Sequence, residues 1–159
     1  MDELLKILKN NALETPDNIA KMLNISTEEV RSRIADYEKR GIIKGYQAIV
    51  NEDVLKMDRV TALIEVKVSP EREGGFNHVA TRIGKFPEVQ SIYLVSGDFD
   101  LLLFVVGPDL KEVAFFVSEK LATIDGVHAT ATHFMLKTYK HHGVLMEAQD
   151  EYERLKITP

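Results

Sequence analysis

Residues 101–106 determine how the larger part of this chain folds, and they read Leu101-Leu102-Leu103-Phe104-Val105-Val106. A short apolar run bounded by turn residues is typical of a buried β-strand. A strand with one face in water alternates apolar and polar side chains, whereas this run is apolar at every position. We therefore expect both faces of this strand to be covered.

The segments around this strand repeat a strand–helix–strand pattern. The other predicted strands are 60–68, 89–95 and 127–136, and helices are predicted around 76–83 and 109–121. Leu110, Val113, Val117 and Leu121 form the predicted buried stripe of the second helix, which Asp109 and Glu112 begin with capping-box spacing. This order predicts an α+β fold, a ferredoxin-like βαββαβ sandwich with both helices on one face of a four-stranded antiparallel sheet.

Helices on one face leave the second face of that sheet without a cover. The economical cover is a second copy of the chain, related by a two-fold axis. The alternative is that the linker or the C-terminal tail folds over this face. The tail is polar from residue 138, and an acidic helical turn is predicted at 147–153.

The first 45 residues have the periodicity of short helices. Apolar residues predict one helix at 2–9, and the stretch 15–17, Thr-Pro-Asp, is typical of the start of a second helix that ends at Asn24. A third helix follows after a tight turn and ends at Gly41. Three short helices with a tight turn between the last two predict a helix-turn-helix of the winged type.

The third helix has one inward and one outward face. Val30, Ile34 and Tyr37 share the inward stripe, so the opposite face is exposed and would enter a DNA major groove. The candidate DNA-binding residues are Ser26, Thr27, Glu28, Arg31, Ser32, Ala35, Lys39, Arg40 and Lys44. Arg31 suits guanine edges, Ser32 suits a base or a phosphate, and the last three suit the phosphate backbone.

Two carboxylates on this helix count against DNA binding, because each repels phosphate. Glu29 has a structural explanation as the capping-box partner of Ser26. Glu28 opposes binding unless it accepts a hydrogen bond from a cytosine amino group. The alternative interpretation is a small helical domain, such as a dimerisation module, whose charges are merely solvated.

Composition sets the remaining limits. The 159 residues include no cysteine, which excludes disulfides, a thiolate nucleophile and cysteine-type zinc sites. Apolar runs are too short to cross a membrane and the first residues are acidic, so we expect a cytoplasmic protein. The net charge of −5 falls wholly on residues 46–159, since residues 1–45 are neutral. No metal site is expected, and no cofactor.

The whole chain resembles the Lrp/AsnC, or feast/famine, family of transcriptional regulators. The resemblance rests on Ile43-Lys44-Gly45-Tyr46, on Gly97-Asp98-Phe99-Asp100 and on the last strand with Thr130 and Thr132. It implies a DNA-binding head at 1–45, a hinge strand and linker at 46–59, and a ligand-sensing (RAM) domain at 60–159. It also implies homodimers, often assembled into octameric rings, that bind double-stranded DNA and a small amino acid at subunit contacts.

The resemblance further implies an effector site. Carried over by position, it contains Ser96, Gly97, Asp98, Phe99 and Asp100, with Thr130 and Thr132 on the neighbouring strand. An amino acid needs a carboxylate for its ammonium group, which Asp98 or Asp100 supplies, and backbone N–H groups for its own carboxylate. The alternative is that the two aspartates only shape a hairpin.

Two other functions are compatible with this scaffold. Sirohaem decarboxylases are similar to this family throughout, but their middle strands carry histidine and arginine, which 91–95 and 101–106 lack. An enzyme is therefore not expected. The other alternative is an amino-acid sensor whose head does not bind DNA.

Overall fold

The computed structural model describes residues 1–55, 57–70 and 74–146 and divides the chain into two compact units, Met1–Val50 and Asn51–Pro159. The acidic turn predicted at 147–153 lies outside the described residues. No helix in the described part of the chain is long and apolar enough to cross a membrane.

The first unit consists of three helices around a small apolar core. They are α1 (Glu3–Asn10), α2 (Pro16–Leu23) and α3 (Thr27–Lys39). The buried core residues are Leu4, Leu8, Ile19, Ala20 and Val30. Ile34 and Tyr37 pack against this core, which confirms the predicted inward face of α3.

Local signals fix the turn between α2 and α3. Asn24 ends α2 in the left-handed conformation, with φ of 53°, as the sequence predicts. The Ser26 hydroxyl oxygen then accepts from the Glu29 N–H at 3.1 Å and caps α3. The structure differs from the full capping box in one respect, because the Glu29 carboxylate pairs with Arg33, one turn further along.

The end of α3 is equally well defined. Gly41 has φ of +67°, a conformation that suits glycine. Its N–H donates to Glu38 O at 3.0 Å, and the Ile42 N–H donates to Tyr37 O at 2.8 Å. This pair of bonds is a Schellman motif, which stops the helix at the predicted place.

The second unit is built on a four-stranded sheet, and a separate two-stranded antiparallel hairpin, Lys140–His141 with Val144–Leu145, follows it in the chain. The linker contains a single helical turn, α4 (Glu52–Leu55), and is followed by β1 (Val60–Val68), α5 (Asn77–Ile83), β2 (Val89–Leu94) and β3 (Leu101–Gly107). Next come α6 (Leu110–Phe115), which continues as a π-helical turn (Phe116–Leu121), and then β4 (Val127–Phe134). The sheet order β2-β3-β1-β4, antiparallel throughout, confirms the ferredoxin-like plan.

The two faces of the sheet differ in burial. On the helix-covered face the side chains of β1 and β3 are buried, including Ile64 and Leu103. On the opposite face, called the outer face here, Leu102, Phe104 and Val106 are half-buried within the single chain. The continuous apolar run is therefore fully covered on one side only.

One predicted stripe needs correction. Val113 and Leu121 are buried as expected, but Leu110 is 55% exposed and Phe116 is buried in its place. Leu110 is the first residue of α6 and lies before the π turn, in which the Ala122 N–H bonds to Val117 O and both Phe116 and Leu121 are buried. The predicted stripe therefore fails at its first position and omits Phe116.

Candidate DNA-binding and effector sites

The predicted DNA-binding residues lie at the N-cap of α3, along α3 and in the segment that follows it. Eight of the nine are exposed, and Thr27 is half-buried. Thr27 Oγ1 donates to Asp17 Oδ1 at 2.9 Å, which links the start of α3 to α2. Because the fold buries Val30 and leaves this face in water, the structure presents a continuous surface beside the α2–α3 turn.

The cations of this surface differ in their partners. The Arg40 guanidinium lies 3.0 Å from Asp36, and the Lys44 ammonium lies over Gly41. Arg31, in contrast, has no hydrogen-bond or ion-pair partner within residues 1–50, all of which are described. Its guanidinium is therefore available to a ligand without the loss of an internal contact.

Two tyrosine hydroxyls in the head donate hydrogen bonds to carboxylates. The Tyr37 hydroxyl donates to the Asp2 carboxylate, and this bond lowers the pKa of Asp2 and raises that of Tyr37. The Tyr46 hydroxyl donates to Glu38 at 3.0 Å. The pKa of Tyr46 is raised, mainly by desolvation of its hydroxyl and secondly by this hydrogen bond. Tyr46 is otherwise largely exposed, so this hydrogen bond is its main contact with α3.

A shallow groove of about 610 Å³ lies at the α2–α3 turn. Its lining includes Asp17, Lys21, Ser26 and Thr27. Lys21, exposed on the last turn of α2, adds a cation beside the start of α3. The spacing within a single helix does not reveal it, since its position depends on how α2 packs against α3.

The predicted effector turn connects β2 to β3. Ser96, Gly97 and Asp98 are exposed, whereas Phe99 and Asp100 are half-buried. Gly97 has φ of +144°, and a Cβ built there would meet no atom within 4 Å. Open space therefore lies beside the glycine, next to the exposed Asp98 carboxylate.

The two aspartates of this turn have different contacts. Asp100 Oδ2 accepts from the Val68 N–H at 2.9 Å, and the Asp100 N–H donates to Val66 O at 3.1 Å. Asp100 thus fastens the turn to β1. Asp98 has no such contact in the described part of the chain.

The threonines of β4 are not next to this turn. Thr130 pairs with Val66 and Thr132 with Ile64, so both lie on the helix-covered face and are half-buried. The expectation of a neighbouring strand was wrong, because β1 lies between β4 and β3. Strand order in the sheet differs from order along the chain, which separates these threonines from the turn by about two strand spacings, roughly 10 Å.

Other ligand chemistry is sparse. No group of three or more metal-ligating side chains occurs together within the described ranges. Glu88 Oε1 lies 2.5 Å from Lys120 Nζ, and this hydrogen bond lowers the pKa of Glu88. That pair joins the start of β2 to the π turn, far along the sheet from residues 96–100.

Comparison with protein families matches both units. Residues 61–145 match the model of the Lrp/AsnC ligand binding domain, and residues 3–44 match a winged helix-turn-helix DNA-binding model. The chain belongs to the Lrp/AsnC family. It is a DNA-binding transcriptional regulator of the Lrp/AsnC type, as the sequence indicated.

Individual Lrp/AsnC relatives agree over nearly the full length. The chain is 44% identical over 160 residues to the HTH-type transcriptional regulator YugG of Bacillus subtilis, covering 99% of this chain and 95% of YugG. It is 33% identical to the regulator LrpA of Pyrococcus abyssi, covering 86% of this chain and 94% of LrpA.

Solved Lrp/AsnC structures have the same fold. A Neisseria meningitidis transcriptional regulator in complex with L-methionine has a TM-score of 0.68 and 25% identity, covering 89% of this chain and 93% of that one. An AsnC family regulator from Agrobacterium tumefaciens has a TM-score of 0.67 and 27% identity, covering 89% and 94%.

Proposed function

We propose that this Lrp/AsnC protein binds specific DNA sequences through α3 and that a small amino acid, bound at subunit contacts, regulates it. The observation that supports this most strongly is the exposed Arg31 on α3, which has no partner within residues 1–50, in a head joined to an Lrp/AsnC ligand binding domain. The L-methionine complex of the Neisseria relative supports an amino-acid effector.

The proposed DNA contacts are of two kinds: contacts to bases, which determine sequence preference, and contacts to phosphates, which position the head on the duplex. Arg31, in the first half of α3, is proposed to donate to guanine O6 and N7, and Ser32 to contact a base or a phosphate. Lys39, Arg40 and Lys44 follow toward the end of the helix and are proposed to contact phosphates. The Arg40 contact exchanges an ion pair with Asp36 for one with DNA.

The effector is proposed to bind at the 96–100 turn. Asp98 would accept from its ammonium group, and backbone N–H groups around Gly97 would donate to its carboxylate. Asp100 is the weaker partner for the ammonium group, because its carboxylate already accepts from Val68. Thr130 and Thr132 would join the same ligand only from another copy of the chain.

A homodimer is proposed to form through the outer face of the sheet. Leu63, Leu102, Phe104 and Val106 give this face an apolar centre, and the register places Leu63 and Phe104 directly opposite each other. Removing this apolar surface from water favours association. Two heads at a fixed separation would then engage two half-sites of DNA, and dimers would assemble further into octameric rings.

The test is a DNA-binding assay with the full chain on its own upstream DNA. We expect the wild-type protein to bind its upstream DNA more tightly than random duplex. Arg31→Ala is expected to reduce this difference in binding free energy by about 1–3 kcal/mol. Lys39→Ala serves as the matched variant, since loss of a phosphate contact weakens binding to all duplexes and reduces its salt dependence. Equal binding of upstream and random DNA, with and without amino acids, would overturn the proposal.

A further inference from the structure

The carboxylates of the head are almost all engaged by the protein itself. Residues 1–45 contain eight acidic side chains. Three pair with cations, namely Glu3 with Lys6, Glu29 with Arg33 and Asp36 with Arg40. Four accept from uncharged groups, namely Asp2 from Tyr37, Glu14 from Asn11 and Asn18, Asp17 from Thr27, and Glu38 from Tyr46.

Glu28 is the exception. It is exposed, and within the fully described residues 1–50 its carboxylate has no hydrogen-bond or ion-pair partner. It is the second residue of α3, on the face that also carries Arg31 one turn later. In a helix that enters the major groove with its N-terminal residues, this position reaches base edges.

A carboxylate in the major groove has a narrow choice of partners. It accepts hydrogen bonds only, and the amino groups of cytosine and adenine are the donors that the groove presents. Adenine places its N7 acceptor beside the amino group, so a carboxylate there also meets a lone pair. Cytosine has no such neighbour on the same base, which makes its amino group the favoured partner.

Helix stability alone does not account for Glu28. Acidic residues suit a helix N-terminus. However, Ser26 already caps α3, and Glu29 already supplies a carboxylate in the first turn. Glu28 therefore adds little to the helix while placing a negative charge on the DNA-binding face.

We propose that Glu28 is a specificity-determining residue that accepts a hydrogen bond from a cytosine amino group, next to the guanine contacted by Arg31. This inference rests on the proposed sequence-specific DNA binding. The negative charge of Glu28 repels phosphates on any DNA, but only the cognate site offers the cytosine hydrogen bond that offsets this repulsion. Glu28 therefore weakens binding to non-cognate DNA more than to the cognate site and increases sequence selectivity in a head of zero net charge.

The experiment starts from duplexes that the full-length wild-type protein selects from a random library. Binding is then measured at one salt concentration for that duplex and for every single base-pair change. Wild type is expected to lose affinity about tenfold when one particular cytosine is replaced, as for one mismatched pair. Glu28→Ala is expected to reduce this loss to about twofold or less and to retain the discrimination at other positions.

Glu29→Gln provides the matched control. It removes the same charge from the next residue, whose side chain faces Arg33 rather than the groove. It is expected to raise affinity for all duplexes by a similar factor and to leave base preference unchanged. Thermal melting of each variant checks that the head remains folded.

Two outcomes would overturn the inference while leaving the proposed function intact. One is that Glu28→Ala changes affinity equally on every duplex, which means that Glu28 only repels phosphate. The other is that Glu28→Ala keeps the wild-type base preference at every position of the duplex. If instead the wild type selects no sequence at all, the proposed DNA recognition fails, and this inference fails with it.

Discussion

Asp98 and Asp100 show how much two similar residues differ once the chain has folded. In the sequence they are equivalent candidates for an ammonium ligand. In the structure the Asp100 carboxylate accepts from the Val68 N–H, which belongs to a residue 32 positions earlier, whereas Asp98 lies exposed in the turn. Caps such as Ser26 and stops such as Gly41 could be predicted because they depend on neighbours; the Asp100 bond could not, because it depends on β1.

The different contacts of the two aspartates predict different effects of their substitution. Asp100→Ala leaves the buried Val68 N–H without its acceptor and is expected to lower the free energy of unfolding by about 1–3 kcal/mol. Asp98→Ala is expected to change it by less than about 0.5 kcal/mol, as for exposed positions, yet to weaken amino-acid binding. Urea unfolding and ligand-dependent melting of both variants measure the two effects. Equal destabilisation by the two substitutions would contradict the assignment.

At the scale of elements, the sequence predicted which segments are helices and strands better than how they pack. The order βαββαβ follows from periodicity and is confirmed. The π turn at Phe116–Leu121 could not be predicted, because it departs from the regular α-helical repeat on which the prediction depends. In this turn both Phe116 and Leu121 are buried in the core. The ion pair between Glu88 and Lys120 then holds this turn against the start of β2.

That ion pair predicts a pH dependence. The hydrogen bond from Lys120 lowers the pKa of Glu88, so the pair contributes stability above the ordinary glutamate pKa of about 4.3 and loses it as the pH falls through the lower, folded-state pKa. Lys120→Met is expected to cost about 0.5–1 kcal/mol of unfolding free energy at pH 7. Its deficit relative to wild type should shrink as the pH falls below 4.

Chemical unfolding of both proteins across that pH range provides the measurement. Lys111→Met, an exposed position on α6, is the control and should behave like wild type at every pH. A deficit of Lys120→Met that stays constant down to about pH 2 would show that Lys120 acts through packing, such as its contact with the Phe86 ring, and not through Glu88.

In the molecule as a whole, the outer face of the sheet is the apolar surface that a single chain covers only in part. The six apolar residues of β3 predicted a cover on both faces, and the helices supply only one. On the other face Tyr93 packs edge-on against Phe104, with ring centroids 6.2 Å apart, and Phe104 itself stays half-buried. The sequence predicts that this face needs a cover, and a second copy of the chain is the cover proposed for it.

Phe104→Glu tests the proposed dimer. A charge at the centre of an apolar interface is expected to yield a monomer of 18.0 kDa by light scattering, where wild type has twice that mass. DNA affinity is expected to fall as well, because the two heads are no longer linked. Leu110→Glu places the same charge on an exposed apolar residue of the helix-covered side and should leave the mass unchanged. A wild-type protein that is itself monomeric would exclude this interface.

The attachment of the 96–100 turn to β1 has a mechanical consequence. Asp100 holds β1 at two consecutive inward positions, once through its own N–H and once through its carboxylate. β1 is an interior strand and is also the strand into which the linker leads. A ligand that pulls on the base of this turn therefore pulls directly on the interior strand that leaves the linker, with no intervening loop to absorb the displacement.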